Sequence, residues 1–307
     1  MTITVSPCFE RFVAEVGDVD LSRPLSPEDE AGIREAFAHY AVLVFPGQSI
    51  DQEQHLAFTG LFGPHERTIS VHRQDMVLRL RPEIADISNL DVENRIWGSD
   101  SRRRMFQLGN RLWHTDSSFR HVPGYASALY AQTVAPIGGH TQFADLRAAW
   151  EALPADEQAR LAPLVAEHSI FHSRARLGFT NFDDEERASL PPVRQRLVRV
   201  IPENGRTSLY LASHIGRIVG MDDTEALALV DRLIAFATQP QFVHTHRWRV
   251  GDLVIWDNRC TMHRGTDFDD LRWTRDMRRS TVSDVANTCE QDIAAASPRQ
   301  PMTTGDP

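Results

Sequence analysis

The residues that could do chemistry begin with Trp113-His114-Thr115-Asp116-Ser117-Ser118-Phe119. On an extended strand, side chains two positions apart project from the same face. His114 and Asp116 would then offer an imidazole nitrogen and a carboxylate oxygen to one point in space. A third ligand would complete three neighbouring corners of an octahedron, the two-histidine, one-carboxylate arrangement of non-haem Fe(II) oxygenases, with the opposite face open for a co-substrate and O2. The tripeptide alone does not decide this. With 13 histidines in the chain, about one His-x-Asp arises by chance, and the commoner reading of the bare motif is a histidine capping a turn at a strand end.

The far end of the chain supplies company. Gly251-Asp252 is a turn, Leu253 to Trp256 is an apolar run of strand type, and a polar bend leads through Cys260-Thr261-Met262 to His263. Arg275 follows His263 by 12 residues and Arg279 follows by 4 more, so on a strand the two guanidinium groups share a face. A guanidinium near such a site suits a bidentate grip on a carboxylate.

Together these stretches resemble the taurine/2-oxoglutarate dioxygenase family of Fe(II)-dependent oxygenases, most of all the 2,4-dichlorophenoxyacetate and related aryloxyalkanoate dioxygenases. The resemblance extends over roughly residues 8 to 285 and includes Leu43-Val44-Phe45-Pro46-Gly47-Gln48, Phe62-Gly63-Pro64, Ala85-Asp86-Ile87-Ser88-Asn89, Gly138-Gly139-His140-Thr141, Asp145-Leu146-Arg147 and Val250-Gly251-Asp252 through His263-Arg264-Gly265. It implies His114, Asp116 and His263 as metal ligands and catalytic residues, with Fe(II), 2-oxoglutarate as co-substrate, and O2. It further implies that Arg275 holds the distal carboxylate of 2-oxoglutarate with help from the Thr141 hydroxyl. Trp256 matches an aromatic packed near the iron. Arg279 matches the position that binds the anionic head of the substrate, while Asn110 and His214 are further substrate-pocket candidates, with Val71 and His72 as loop guesses. The activity implied is hydroxylation of a small anionic substrate, an aryloxyacetate cleaved to a phenol and glyoxylate with release of succinate and CO2. A taurine or alkylsulfonate dioxygenase is the alternative; a non-catalytic jelly-roll anion-binding protein and a zinc hydrolase are remoter ones.

Composition agrees with an enzyme of this kind. The 307 residues are 41% hydrophobic and 24% charged, with net charge −9, which is the soluble globular range and disfavours nucleic acid as a partner. Cys8, Cys260 and Cys289 are three in number and far apart, so a disulfide framework is not expected and a reducing, cytoplasmic setting fits. No apolar run approaches a membrane span, and Met1 to Pro7 lacks the pattern of a secretory signal. Relatives form homo-oligomers, and the resemblance implies the same.

The elements that must position these residues follow from local patterns. Ser26-Pro27-Glu28-Asp29 starts a helix with Ile33, Ala36, Phe37 and Tyr40 on its apolar face. Ala41 to Phe45 reads as a buried strand. Asp51 with Gln54 opens a second helix burying Ala57, Phe58, Leu61 and Phe62. Residues 65–83, 89–109 and 173–194 read as loops. Ile84 to Ser88 and Ala128 to Val134 read as strands, and 145–161 as two short helices broken at Pro154. Asn204-Gly205 turns a hairpin between Leu197–Ile201 and Thr207–Ala212, and Asp222 caps a helix. Phe242–Trp248 and Leu253–Trp256 read as another hairpin. His244 and His246 are expected to be ordinary strand histidines. The expected fold is mainly β with flanking helices, and the resemblance specifies a double-stranded β-helix, or jelly roll. Residues 1–286 are expected to form one domain and 287–307 a disordered tail.

Overall fold

The computed structural model describes residues 3–9, 11–68 and 77–291. In chain order the elements are β1 Thr4–Phe9, β2 Val13–Gly17, α1 Pro27–Tyr40, β3 Val42–Phe45, α2 Gln52–Gly60, β4 Ile84–Asp86, α3 Arg102–Gln107, β5 Gly124–Thr133, β6 Thr141–Asp145, α4 Leu146–Glu151, α5 Ala155–Leu161, β7 Val165–His168, α6 Ile170–Ala175, α7 Asp184–Ser189, β8 Val193–Arg196, β9 Val198–Val200, β10 Thr207–Leu209, β11 Ile215–Ile218, α8 Asp223–Ala237, β12 Val243–His246, β13 Leu253–Asp257, β14 Thr261–Gly265 and β15 Asp276–Ser283. The chain is sheet-rich with helices outside the sheets.

A seven-stranded sheet in the order β1-β2-β3-β13-β5-β15-β4 faces a three-stranded sheet, β12-β6-β14. The period-2 alternation of the central strands builds two apolar layers at once. Leu43, Phe45, Ala126, Ala128, Tyr130, Leu253 and Ile255 point outward to meet Ile33 and Phe37 of α1 and Phe58 of α2. Their neighbours Val42, Val44, Leu129, Ala131, Val254 and Trp256 point inward and pack with Phe143 of β6. A third layer lies behind the small sheet, where Ala144 and Met262 meet α4, α5 and α8 together with strands β7, β9, β10 and β11. Met262 faces that outer layer, so the next residue, His263, must face the space between the sheets. Its ring lies 4.7 Å from Trp256 and 6.1 Å from Phe143, between centroids.

Local signals set the helix ends. Ser26 accepts from the Asp29 amide and Pro27 opens α1, while Ala41 at φ 68 stops it. Asp51 and Gln54 form a reciprocal capping box on α2. The α2 face differs from expectation in one place, because Ala57 is exposed and Leu56 is buried. The hairpin expected between 242 and 256 does not form. Strand β13 is sandwiched between β3 and β5, so both of its edges are taken, and β12 pairs with β6 in the other sheet.

Two stretches read as loops carry helices. In 89–109, α3 presents three consecutive arginines, each held by a distant carboxylate: Arg102 by Glu186 at 3.0 Å, Arg103 by Asp86 at 2.9 Å and Arg104 by Asp270 at 3.0 Å. Partners this remote in sequence could not be read locally. In 173–194, α7 is capped by Asp183 with Glu186. Asn287 and Thr288, expected to open a disordered tail, are bound into the fold: Asn287 donates to His121 O and Arg194 O, and Thr288 bonds Gln195 from a buried position; residues 292–307 of the expected tail lie outside the described residues. Among the described residues no helix is long and apolar enough to cross a membrane.

Burial holds several histidines neutral. His55, bonded through Nε2 to Ser280 Oγ at 3.0 Å, is pushed from 6.5 down to about 4, chiefly by desolvation. Desolvation pushes His168 to about 3. Both pKa values are depressed relative to the unfolded chain, so unfolding takes up protons below pH 6.5. Their stability contribution is complete above that pH and lost as pH falls towards the folded values, each group adding about 1.4 kcal/mol per pH unit within the window. The thermal midpoint should therefore fall steadily from pH 6.5 towards 4.5, less steeply in His168→Gln. A midpoint flat across that range would show that these rings are not buried neutral.

Candidate active site

His114 does not lie on a strand, as the spacing had suggested. It forms a single-residue bridge to His263, its amide donating to His263 O at 3.0 Å and its carbonyl accepting in return from the His263 amide at 2.8 Å. Thr115 is turned away and buried, its hydroxyl reaching Leu211 O at 2.8 Å and Thr261 O at 3.0 Å. The side chains on either side of it thus share one face without a strand. The chain then bends, with Ser117 at φ 57, a left-handed conformation uncommon for a residue with a β-carbon. Asn258 fixes the bend by accepting from the Asp116 amide at 3.2 Å, while its own amide group donates to Ser127 Oγ at 2.9 Å.

One ligand atom from each of His114, Asp116 and His263 lies within 4.8 Å of the others, and among the described residues no other trio of such side chains converges in this way. His114 Nε2 is 3.7 Å from Asp116 Oδ1, and His263 Nε2 is 3.6 Å from Asp116 Oδ2. The His114 Nδ1 contact to Leu112 O at 2.7 Å puts the ring proton on Nδ1 and leaves the Nε2 lone pair free. Asp116 Oδ2 and His263 Nδ1 are buried with no hydrogen-bond partner. Desolvation lowers His114 to about 4 and takes His263 well below the usual imidazole value. Burial opposes ionisation of Asp116, but Arg279, His263 and His114 overcome it and hold the carboxyl below its ordinary value. Two neutral imidazoles and one ionised carboxylate with an unused oxygen are a donor set that fits Fe(II).

His114 and Asp116 border a cavity of about 1030 Å³, and Asn110, His214 and Arg279 border it too. The His214 ring lies 5.9 Å from that of His114 and 5.0 Å from Phe119. Arg279 is occupied: its Nη1 donates to Asp116 Oδ1. A second cavity of about 80 Å³ has Arg275 in its wall, and Gln107 and Asn110 border both spaces. Arg275 is buried, donates to Gly139 O at 3.1 Å and Ile87 O at 3.4 Å, and is paired with no carboxylate among the described residues. Burial lowers its pKa to about 10. Gly139, at φ 67, lies against the guanidinium, where an added Cβ would be 3.3 Å from Arg275 Nε.

Thr141 and Trp256 lie behind the cavity walls. The Thr141 hydroxyl accepts from Trp248 Nε1 at 2.9 Å, and Trp256 reaches the site through its contact with His263 and by donating from Nε1 to Asn258 Oδ1 at 3.0 Å. Val71 and His72 fall outside the described residues. His244 and His246 lie on β12, and His246 is bound to Asp252 at 3.1 Å.

A family model described as taurine catabolism dioxygenase TauD, TfdA family matches residues 4–281. The chain belongs to that family. This TauD/TfdA chain is 39% identical over 287 residues to the alpha-ketoglutarate-dependent 2,4-dichlorophenoxyacetate dioxygenase of Cupriavidus pinatubonensis, a match spanning 93% of this chain and 99% of that one. It is 35% identical to the (S)-phenoxypropionate/alpha-ketoglutarate-dioxygenase of Sphingobium herbicidovorans, over 86% of this chain and 92% of that one. Among solved structures it is similar to AAD-2 in complex with Mn(II) and N-oxalylglycine, with a TM-score of 0.86, 44% identity, and coverage of 95% of this chain and 100% of that one.

Several residues at this TauD/TfdA site carried no sequence signal. Asn258 sits within a matching stretch but has no chemistry of its own. Glu66 accepts from Ser117 Oγ at 2.6 Å, a contact across 51 residues. Arg174 borders the large cavity from a stretch read as an irregular insertion, and only its tertiary burial distinguishes it from other arginines.

Proposed function

We propose that this TauD/TfdA protein is an Fe(II)- and 2-oxoglutarate-dependent dioxygenase that hydroxylates an aryloxyalkanoate. The observation that carries the reading is the convergence of His114, Asp116 and His263, the first two in the wall of the large cavity, with Asp116 Oδ2 left without a hydrogen bond. In this reading those three residues hold the metal. Bound Fe(II) supplies the redox chemistry that couples oxidative decarboxylation of 2-oxoglutarate to insertion of one oxygen atom of O2 into a substrate C–H bond. Arg275 grips the distal carboxylate of 2-oxoglutarate, and Thr141 keeps a hydroxyl proton for the same anion. Trp256 and Phe143 fix the His263 ring from below. His214, Phe119 and Asn110 shape the substrate side and exclude water. With an aryloxyacetate, the hydroxylated carbon bears the ether oxygen, so collapse of the hemiacetal releases a phenol and glyoxylate.

The names of the related enzymes support the aryloxyalkanoate class. We read the two facing sheets as a jelly roll and the catalytic unit as one domain over residues 1–286. A cytoplasmic homo-oligomer is the assembly we carry forward from the resemblance.

The test is to incubate the protein with Fe(II), ascorbate, 2-oxoglutarate and O2, and to measure succinate with 2,4-dichlorophenoxyacetate or with taurine. Succinate should rise with the aryloxyacetate in step with 2,4-dichlorophenol. A rise with taurine alone would keep the metal site and discard the aryl substrate.

A further inference from the structure

We propose that Asn258 is a positioning residue that ties Asp116 to a polar row across the large sheet, and so holds the metal ligands in register with Arg279 on β15. This rests on the Fe(II) dioxygenase reading above and on the resemblance that gives Arg279 to the substrate anion. It adds the residue that sets one against the other.

Strand register builds the row. Trp256 of β13 stands opposite Ser127 of β5, and Ser127 stands opposite Thr281 of β15. All three are buried. They share the inner face, because Val254, Leu129 and Met277, two or four residues along the same strands, pack in the inner layer. The Ser127 and Thr281 hydroxyls share a hydrogen bond at 2.9 Å. The next row holds Val254, Leu129 and Arg279. Arg279 is thus the inward neighbour of Thr281 along β15, and both border the large cavity together with His114 and Asp116.

Asn258 joins this row to the metal ligands. Its side chain is fully buried and engaged at both ends. Oδ1 accepts from the Asp116 amide at 3.2 Å and from Trp256 Nε1 at 3.0 Å, while Nδ2 donates to Ser127 Oγ at 2.9 Å. Turning the amide over would set its NH2 against two N–H donors, so the network fixes its orientation. The Asn258 backbone is held as well, its N–H donating to Tyr125 O at 2.8 Å. One amide side chain therefore connects the backbone of Asp116, the indole that packs on His263, and the hydroxyl pair that leads to the strand of Arg279.

The packing around the junction leaves little slack. A Cβ added at Gly124 would stand 3.1 Å from Asp116 O and from Thr281 Cγ2, and 3.4 Å from Asn258 Nδ2. Glycine there lets the bend after Asp116 rest directly on β5 and β15. Losing a group that orients a metal ligand costs about 10- to 100-fold in metal affinity or activity. Misplacing reacting groups by about 1 Å can cost about a hundredfold in rate. A substrate held out of register would also let 2-oxoglutarate be consumed without oxidation of the substrate carbon. The row therefore governs the coupling of the two half-reactions as well as their rate.

The experiment has two readouts: Fe(II) affinity of the metal-free protein by equilibrium dialysis without O2, and succinate formed per 2,4-dichlorophenol in the loaded enzyme given 2,4-dichlorophenoxyacetate. Asn258→Ala should bind Fe(II) about 10- to 100-fold more weakly than wild type. Ser127→Ala and Thr281→Val keep the Asn258 contact with Asp116. Their Fe(II) affinity should change less than about threefold, while succinate per phenol rises from about one to about two or more. Ser280→Ala is the control for stability alone. It lies on the outer face of the same strand, bonded to His55 and Thr59 at 3.0 Å, and should lower the urea midpoint with the ratio unchanged. If Asn258→Ala does not fold, Gly124→Ala crowds the same junction without removing a hydrogen-bonding group and should both weaken Fe(II) and raise the ratio. Wild-type Fe(II) affinity in whichever of these two variants folds, or a ratio near one in both Ser127→Ala and Thr281→Val, would overturn the assignment. Wild-type enzyme that forms no dichlorophenol would overturn the substrate reading alone, because the Fe(II) measurement decides Asn258 without it.

Discussion

Replacing His263 by alanine is expected to lower kcat by at least about a thousandfold, because the metal contributes several kcal/mol to the chemical step and each 1.4 kcal/mol is tenfold in rate. Bound Fe(II), measured after dialysis, should fall from one per chain to near zero. The fold should survive, since the bridge between residues 114 and 263 is made by backbone groups and the lost imidazole already resists protonation through burial. Asp116→Ala should abolish metal binding equally but cost more stability, because it strips the half-buried Arg279 of its carboxylate partner. Breaking a buried ion pair by removing one partner costs about 3–5 kcal/mol, and the partial exposure of Arg279 reduces that figure. Urea unfolding of the two metal-free variants makes the comparison. If His263→Ala retained stoichiometric iron and wild-type turnover, the assigned ligand set would be wrong.

Arg275→Met should be the second largest effect and should act on a single ligand. A buried charge pair is worth about 2–5 kcal/mol to binding when one side is removed, so KM for 2-oxoglutarate should rise at least about 30-fold. Metal affinity should change little, because Arg275 makes no contact with the three ligands and sits in the wall of the smaller cavity. A thermal-shift titration gives an independent view. At 100 times its Kd, a ligand stabilises the folded state by about 2.7 kcal/mol, and with affinity weakened about 30-fold the same concentration of 2-oxoglutarate should stabilise Arg275→Met by only about 0.9 kcal/mol or less. Loss of iron together with 2-oxoglutarate binding would instead mean that Arg275 supports the whole site, and the separate role given to it would fall.

The sequence carried the site's chemistry better than its scaffold. The convergence of His114, Asp116 and His263 was readable because each residue type is chemically committed and the matching stretches keep order along the chain. The helix starts at Ser26, Asp51 and Asp222 were readable because capping is local. What failed was non-local. The pairing of β12 with β6 and of β13 with β3 and β5 depends on which edges are free in the assembled sheets, and two apolar runs joined by a turn look like a hairpin in either case. The arginines of α3 looked like a loop because their carboxylates lie up to 166 residues away. Arg279 was legible by its place four residues after Arg275, whereas its contact with Asp116 was not, because that partner lies 163 residues away.

The central claim is that His114, Asp116 and His263 hold Fe(II) while Arg275 anchors 2-oxoglutarate across the same site. The most direct measurement is the visible absorption spectrum of the Fe(II)-loaded protein without O2 as 2-oxoglutarate is added. The account predicts a charge-transfer band that saturates at one 2-oxoglutarate per chain, is absent in His263→Ala, and in Arg275→Met appears only at a much higher concentration. Folded wild-type protein that binds one Fe(II) yet shows no band, or a His263→Ala variant with an unchanged band, would contradict it.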